Sequence, residues 1–160
     1  MQPDPVTRSN LLELPAKQTA LVVEDDPPVQ RAMLKALARM NMRVFVASHY
    51  RDALRHLEVS NIDIVCVDIG LPNESGYELC EYIRGPMALT RIPIIATSER
   101  GTSIDMAHAE GARANAFLLK PFAMHELTDC VRSLLDRTPS RSPPRHPLAL
   151  RCEPIDSLVA

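Results

Sequence analysis

Five short runs, rich in β-branched and other apolar residues, recur through the middle of the chain at residues 20–23, 43–46, 62–67, 92–96 and 116–119. Four of them are apolar almost throughout, as strands covered on both faces must be. Between them the apolar positions change period. Val29, Met33, Ala36, Leu37 and Met40 recur at helical spacing, as do Met124, Leu127, Val131 and Leu134. Asp26 before Pro27 reads as an N-cap followed by proline at the first helical position, and Ser48, Ser75 and Ser103 are placed to cap the next helices. Five strands alternating with five helices predict an α/β fold, a doubly wound five-stranded parallel sheet.

Composition delimits that pattern. All 5 glycines fall between Gly70 and Gly111, whereas 8 of the 14 prolines lie in the first 15 residues or after residue 138. Residues 18–136 carry 12 basic and 16 acidic side chains, net −4, and residues 137–160 carry +2. We therefore expect one folded domain over residues 18–136, a flexible N-terminal segment at 1–17 and a Pro/Arg-rich C-terminal tail at 137–160. No apolar run approaches the roughly 20 residues of a bilayer span, and the first residues lack a signal-peptide pattern, which predicts a cytoplasmic protein with no membrane contact. A pI near 6.2 weighs against binding nucleic acid. The cysteines Cys66, Cys80, Cys130 and Cys152 form no C-x-x-C pair and suggest reduced thiols. The five histidines show no metal-ligand spacing and read as surface or packing residues.

In open α/β sheets the ligand crevice lies beyond the carboxyl ends of the strands. The first run ends in Glu24, Asp25 and Asp26, the third in Asp68, the fourth in Thr97 and Ser98, and the fifth in Lys120 and Pro121. Clustered carboxylates repel unless a cation holds them ionised, and an all-oxygen set selects a hard ion such as Mg²⁺. Beside such an ion an aspartate can attack phosphorus to form an aspartyl phosphate, with a lysine and a hydroxyl stabilising the transferring group.

These residues, in the motifs LVVEDD, IVCVDIGLPNESG, PIIATSE and FLLKPF, resemble the receiver domain of bacterial two-component response regulators over residues 18–136. The resemblance implies a flavodoxin-like strand order 2-1-3-4-5 and a stand-alone, chemotaxis-type single-domain regulator in phosphorelay signal transduction. It makes Asp68 the phosphoacceptor, with Mg²⁺ held by Asp25, by Glu24 through water, by Asp68 and by the Gly70 backbone carbonyl. Lys120, Thr97 and Ser98 become the phosphate-binding residues, Thr97 and Phe117 the switch pair, and Lys120–Pro121 a cis peptide. Asp26 is then mainly a helix cap. The implied donor is a histidine kinase or histidine phosphotransfer protein, the output is contact with a downstream protein, and the protein is a switch rather than an enzyme. On phosphorylation Thr97 would move toward the new oxygens and Phe117 would turn inward. Gly70 departs from the larger side chain that the family often carries there, which implies an exposed, short-lived phosphoryl group.

Two other readings compete with it. One is a phosphorylation-independent scaffold of receiver shape, against which the complete residue set counts. The other is a haloacid-dehalogenase-type phosphatase, which normally needs a second aspartate where this chain has Gly70. Tyr77, Leu79 and Tyr82 stand at helical spacing and are expected to pack. Leu11, Leu12 and Leu14 and the Pro144–Pro147 P-x-x-P stretch invite docking roles, and the apolar last three residues resemble a C-terminal degron read by bacterial unfoldase proteases, although solvated tails are the simpler reading.

Overall fold

A computed structural model describes residues 17–137. The expectations for the N-terminal segment, the proline-rich tail and Cys152 lie outside these described residues. The elements run β1 (Thr19–Val23), α1 (Pro27–Arg39), β2 (Arg43–Ala47), α2 (Tyr50–Val59), β3 (Ile64–Asp68), α3 (Gly76–Arg84), β4 (Ile94–Ser98), α4 (Ser103–Gly111), β5 (Ala116–Leu119) and α5 (Met124–Asp136). All strand pairs are parallel, in the order β2-β1-β3-β4-β5. The expected fold and strand order are therefore those observed.

Strand alternation divides the core into two layers. Ala20, Val22, Ile64, Cys66, Ile95, Ala116 and Leu118 pack with α1 and α5 through Met33, Leu37, Leu127 and Val131. The intervening positions, Leu21, Val23, Val65, Val67, Ile94, Ala96 and Phe117, meet α2, α3 and α4 through Ala53, Leu57, Leu79, Ile83 and Ala109. β1, β3 and β4 are buried along their whole length, while the edge strand β2 is exposed or half-buried until Ala47.

The ends of the elements differ in detail from the sequence expectations. Residues 62–63 precede β3 rather than joining it, because the Asp63 carboxylate accepts the Thr19 backbone N–H at 2.7 Å. Ser75 caps α3 as expected, its hydroxyl accepting the Tyr77 amide. Asp26 occupies the N-cap of α1 but makes no side-chain cap bond. Thr102 rather than Ser103 caps α4, accepting the Asp105 amide at 3.1 Å. Ser48 caps nothing: its hydroxyl accepts from Gln30 instead, and His49 stands at the N-cap of α2. Cys66 and Cys80 are buried free thiols, and burial pushes both up to about 12. Cys130 is disulfide-bonded, which corrects the expectation of uniformly reduced thiols.

One buried cation stabilises the layer beneath α4. Arg84, at the end of α3, donates to the carbonyls of Leu89, Ile92 and Arg113 and to Asn115 Oδ1, at 2.7–3.1 Å. Among the described residues it makes no ion pair, so three backbone carbonyls and one amide oxygen supply the compensation that burial of a charge demands. Among the described residues no helix is long and apolar enough to cross a membrane.

Candidate functional site

Val22, Cys66, Ile95 and Leu118 face α1 and α5, and two residues further along the same strands come Glu24, Asp68, Thr97 and Lys120. The period-2 geometry that builds the core thus also delivers the polar set to the carboxyl edge of the sheet. The backbone keeps the ends in register: Glu24 N–H donates to Ala47 O, Ile69 N–H to Thr97 O and Lys120 N–H to Ser98 O.

Lys120 joins the two sides of the site. Its ammonium donates to Glu24 Oε2 and to Asp68 Oδ2, each at 2.7 Å, with 12% of the side chain exposed. Asp68 Oδ1 accepts the Gly70 amide at 2.7 Å, so both carboxylate oxygens are held. Burial pushes Glu24 up, and the Lys120 and Asp26 hydrogen bonds pull against it without cancelling it, the Asp68 charge adding to the rise. Burial alone would push Lys120 down, yet its bonds to Asp68 and Glu24 outweigh this and hold the ammonium above its ordinary range. The cluster carries more negative charge than one lysine balances, the arrangement a cation relieves.

Glu24, Asp25 and Asp68 each offer a carboxylate oxygen, all within 4.8 Å of one another. It is the one such group of His, Cys, Asp or Glu among the described residues. Asp25 is exposed at the crevice mouth, and the other two are buried. An all-oxygen set with one solvent-facing member fits Mg²⁺, which retains waters and takes only one or two carboxylates.

Thr97 lies opposite Asp68 in the β3–β4 register and is 0% exposed, yet its hydroxyl has no hydrogen-bond partner. Ser98 is also buried and accepts the Arg100 amide. Phe117 is buried, 4% exposed, in the cluster that includes Ala96, Ala109, Ala112 and Ala114. Lys120–Pro121 is cis, as the resemblance implied. A Cβ on Gly70 would stand 3.3 Å from Asp68 Oδ1, so this residue lies directly against the carboxylate.

Three contributors escaped the sequence. Gln30 donates from its amide to the Glu24 carbonyl and to Ser48, tying α1 to the ends of β1 and β2. Gly76 opens α3 so close to the acceptor strand that a Cβ would meet the Asp68 carbonyl oxygen at 2.2 Å and Ile69 Cα at 2.7 Å. Its place at the end of the LPNESG motif was the available signal. Tyr77 donates to the backbone carbonyl of Asp105 in α4, a link that no local pattern announces.

Comparison with known proteins agrees with this geometry. The family model described as the response regulator receiver domain matches residues 20–132. The chain is 30% identical over 119 residues to the heme response regulator HssR of Staphylococcus saprophyticus, covering 74% of this chain and 52% of that protein. It is 32% identical over 124 residues to the KDP operon transcriptional regulatory protein KdpE of Escherichia coli, covering 78% and 54%. The chain thus spans about half the length of these curated relatives. Among solved structures, the receiver domain of a histidine kinase from Syntrophus aciditrophicus aligns at TM-score 0.71 and 25% identity, over 83% of this chain and 99% of that one. The chemotaxis response regulator CheY4 of Vibrio cholerae shares the fold at TM-score 0.69 and 19% identity, over 74% and 98%.

Proposed function

Because the chain belongs to the response regulator receiver-domain family, we propose that it is a switch operated by phosphorylation of Asp68. The donor is a phosphohistidine on a histidine kinase or histidine phosphotransfer protein, and the output is an altered protein-binding surface. The observation that carries this reading is the Thr97 hydroxyl, buried and unpartnered in the register position facing Asp68. A buried donor left unpaired costs about 1–3 kcal/mol. That cost is recovered once a phosphoryl oxygen accepts from it.

An Asp68 carboxylate oxygen attacks phosphorus, the P–N bond of the phosphohistidine breaks, and its electron pair leaves with the imidazole, which takes up a proton. Lys120, already 2.7 Å from Asp68, keeps its ammonium against the charge that develops and then pairs with a phosphoryl oxygen. Glu24, Asp25, Asp68 and the Gly70 carbonyl would hold Mg²⁺, which when bound supplies charge neutralisation at the transferring group. Ser98, small and buried, leaves space for the phosphoryl group.

Phosphorylation replaces the single charge of Asp68 with a group carrying roughly two, a net gain of about one negative charge at a site where Lys120 already faces Glu24 and Asp68. Thr97 turns to donate to the new oxygens and draws the end of β4 with it. The change passes to α4, the helix with the fewest buried groups. The transcriptional role named for KdpE is that protein's own.

Incubation with acetyl phosphate and Mg²⁺ should give an acid-stable, base-labile phosphoprotein that Asp68→Ala abolishes. No modification of the unaltered chain would favour the scaffold, and rapid multiple turnover of phosphoesters would favour the phosphatase.

A further inference from the structure

α4 is held very differently at its two ends. At its C-terminal end Arg84 binds the Arg113 carbonyl and Asn115 Oδ1, and Asn115 in turn accepts the Ile94 amide and donates its own amide to Ile94 O. This end is thereby fixed to α3 and to the first residue of β4. Near the N-terminal end the hydrogen bonds among the described residues are of two kinds. One is α4's own cap, Thr102 with Asp105. The other is a single tie to the rest of the molecule, the Tyr77 hydroxyl donating to the Asp105 carbonyl at 2.9 Å. The Tyr77 ring also meets the His108 ring edge-on, with centroids 5.5 Å apart. Of the helix's own residues only Ala109 is buried. Such an element shifts at low cost, and whatever holds its free end sets its position.

Tyr77 follows Gly76, the residue wedged against the Asp68 carbonyl and Ile69 Cα with no room for a Cβ. A short path, made of the close Gly76 contact, one peptide bond and the Tyr77 hydrogen bond, therefore leads from the acceptor strand through the start of α3 to α4. It bypasses Thr97 and Phe117.

We propose that Tyr77 is a positioning residue, a catch that holds α4 in the resting placement seen here while the Arg84 clamp serves as its pivot. The inference rests on the Proposed function only in taking α4 as the element that phosphorylation moves. Releasing the hydroxyl bond favours the shifted placement. By linkage, any ligand of the acceptor site that prefers the shifted placement then binds more tightly by the same factor.

Tyr77→Phe removes the hydroxyl and keeps the ring against His108. In the unphosphorylated protein, amide exchange over α4 should rise about 2- to 10-fold, the equilibrium change for losing one neutral hydrogen bond, with β1 and β3 unaffected. Affinity for beryllofluoride with Mg²⁺, a phosphoryl mimic, should rise by a similar factor although the variant has lost a bond, a gain that a merely structural role does not give. Tyr77→Leu, which also removes the ring contact, should exceed Tyr77→Phe in both measurements. Unchanged α4 exchange in Tyr77→Phe overturns the proposal, as does a loss of protection that spreads through β1 and β3, or an unchanged or weakened beryllofluoride affinity. Should Asp68 fail to label in the unaltered protein, the phosphoacceptor reading falls, while the exchange measurement, made without any donor, still decides the catch.

Discussion

α4 and α5 flank the same strand and are secured in opposite ways. α5 buries Leu127, Cys130, Val131, Leu134 and Leu135 against the α1 layer, whereas α4 buries Ala109 alone and leaves Ile104 65% exposed. A buried leucine contributes about 1.5–3 kcal/mol of transfer free energy, and a buried alanine a fraction of that. Beside them the site is rigid for a different reason: Lys120, Glu24 and Asp68 are locked at 2.7 Å, and Gly76 abuts the acceptor backbone. A protein that must keep its chemistry fixed while changing its surface needs this division. Strong packing holds the lysine and the carboxylates, and weak packing lets one neighbouring helix answer.

The largest effect that tests this contrast is on the anchored side. Leu127 is fully buried, so Leu127→Ala leaves a cavity and should destabilise the protein by about 2–5 kcal/mol. Equilibrium unfolding in denaturant measures it. A loss below about 1 kcal/mol would show that α5 is no better secured than α4.

A smaller effect, of opposite sign, is expected at the site itself. Thr97→Val removes a hydroxyl that has no partner and keeps a branched side chain of similar volume. Folding stability should hold or rise, by about 1 kcal/mol, because an unsatisfied buried group has been deleted. The same variant should still accept phosphate on Asp68 but lose the phosphorylation-induced change in α4 amide exchange. Loss of more than about 1 kcal/mol in the unphosphorylated state would mean that the hydroxyl is already bonded, and would remove the observation on which the switch reading depends.

The sequence made the anchored half readable and left the responsive half largely opaque. Apolar runs identify β1, β3, β4 and β5, and at or just beyond their ends stand Glu24, Asp68, Thr97 and Lys120, which therefore follow from strand endings alone. The family motifs add Gly70 and the cis peptide to Pro121. The N-cap of α4 was displaced by one residue because Thr102 and Ser103 are both competent caps, and only the Asp105 amide decides between them. The Tyr77 bond to Asp105 spans 28 positions and ends on a backbone carbonyl, which no side-chain pattern encodes. Local periodicity specifies elements and their endings, whereas the contacts that set how loosely α4 is held are tertiary.

The smallest expected effect is on the exposed face of α4. Ile104 is 65% exposed and stands in the first turn of the helix, so Ile104→Ser removes little apolar surface that folding had buried. Serine is a somewhat poorer helix former than most, by about half a kcal/mol relative to alanine, but isoleucine is little better. Folding stability should therefore stay within about 0.5 kcal/mol of the parent, which thermal unfolding of the two proteins side by side will show. A larger loss would place Ile104 in a packed environment, contradict the contrast with Leu127, and give α4 a second anchor at the end that the Tyr77 bond holds.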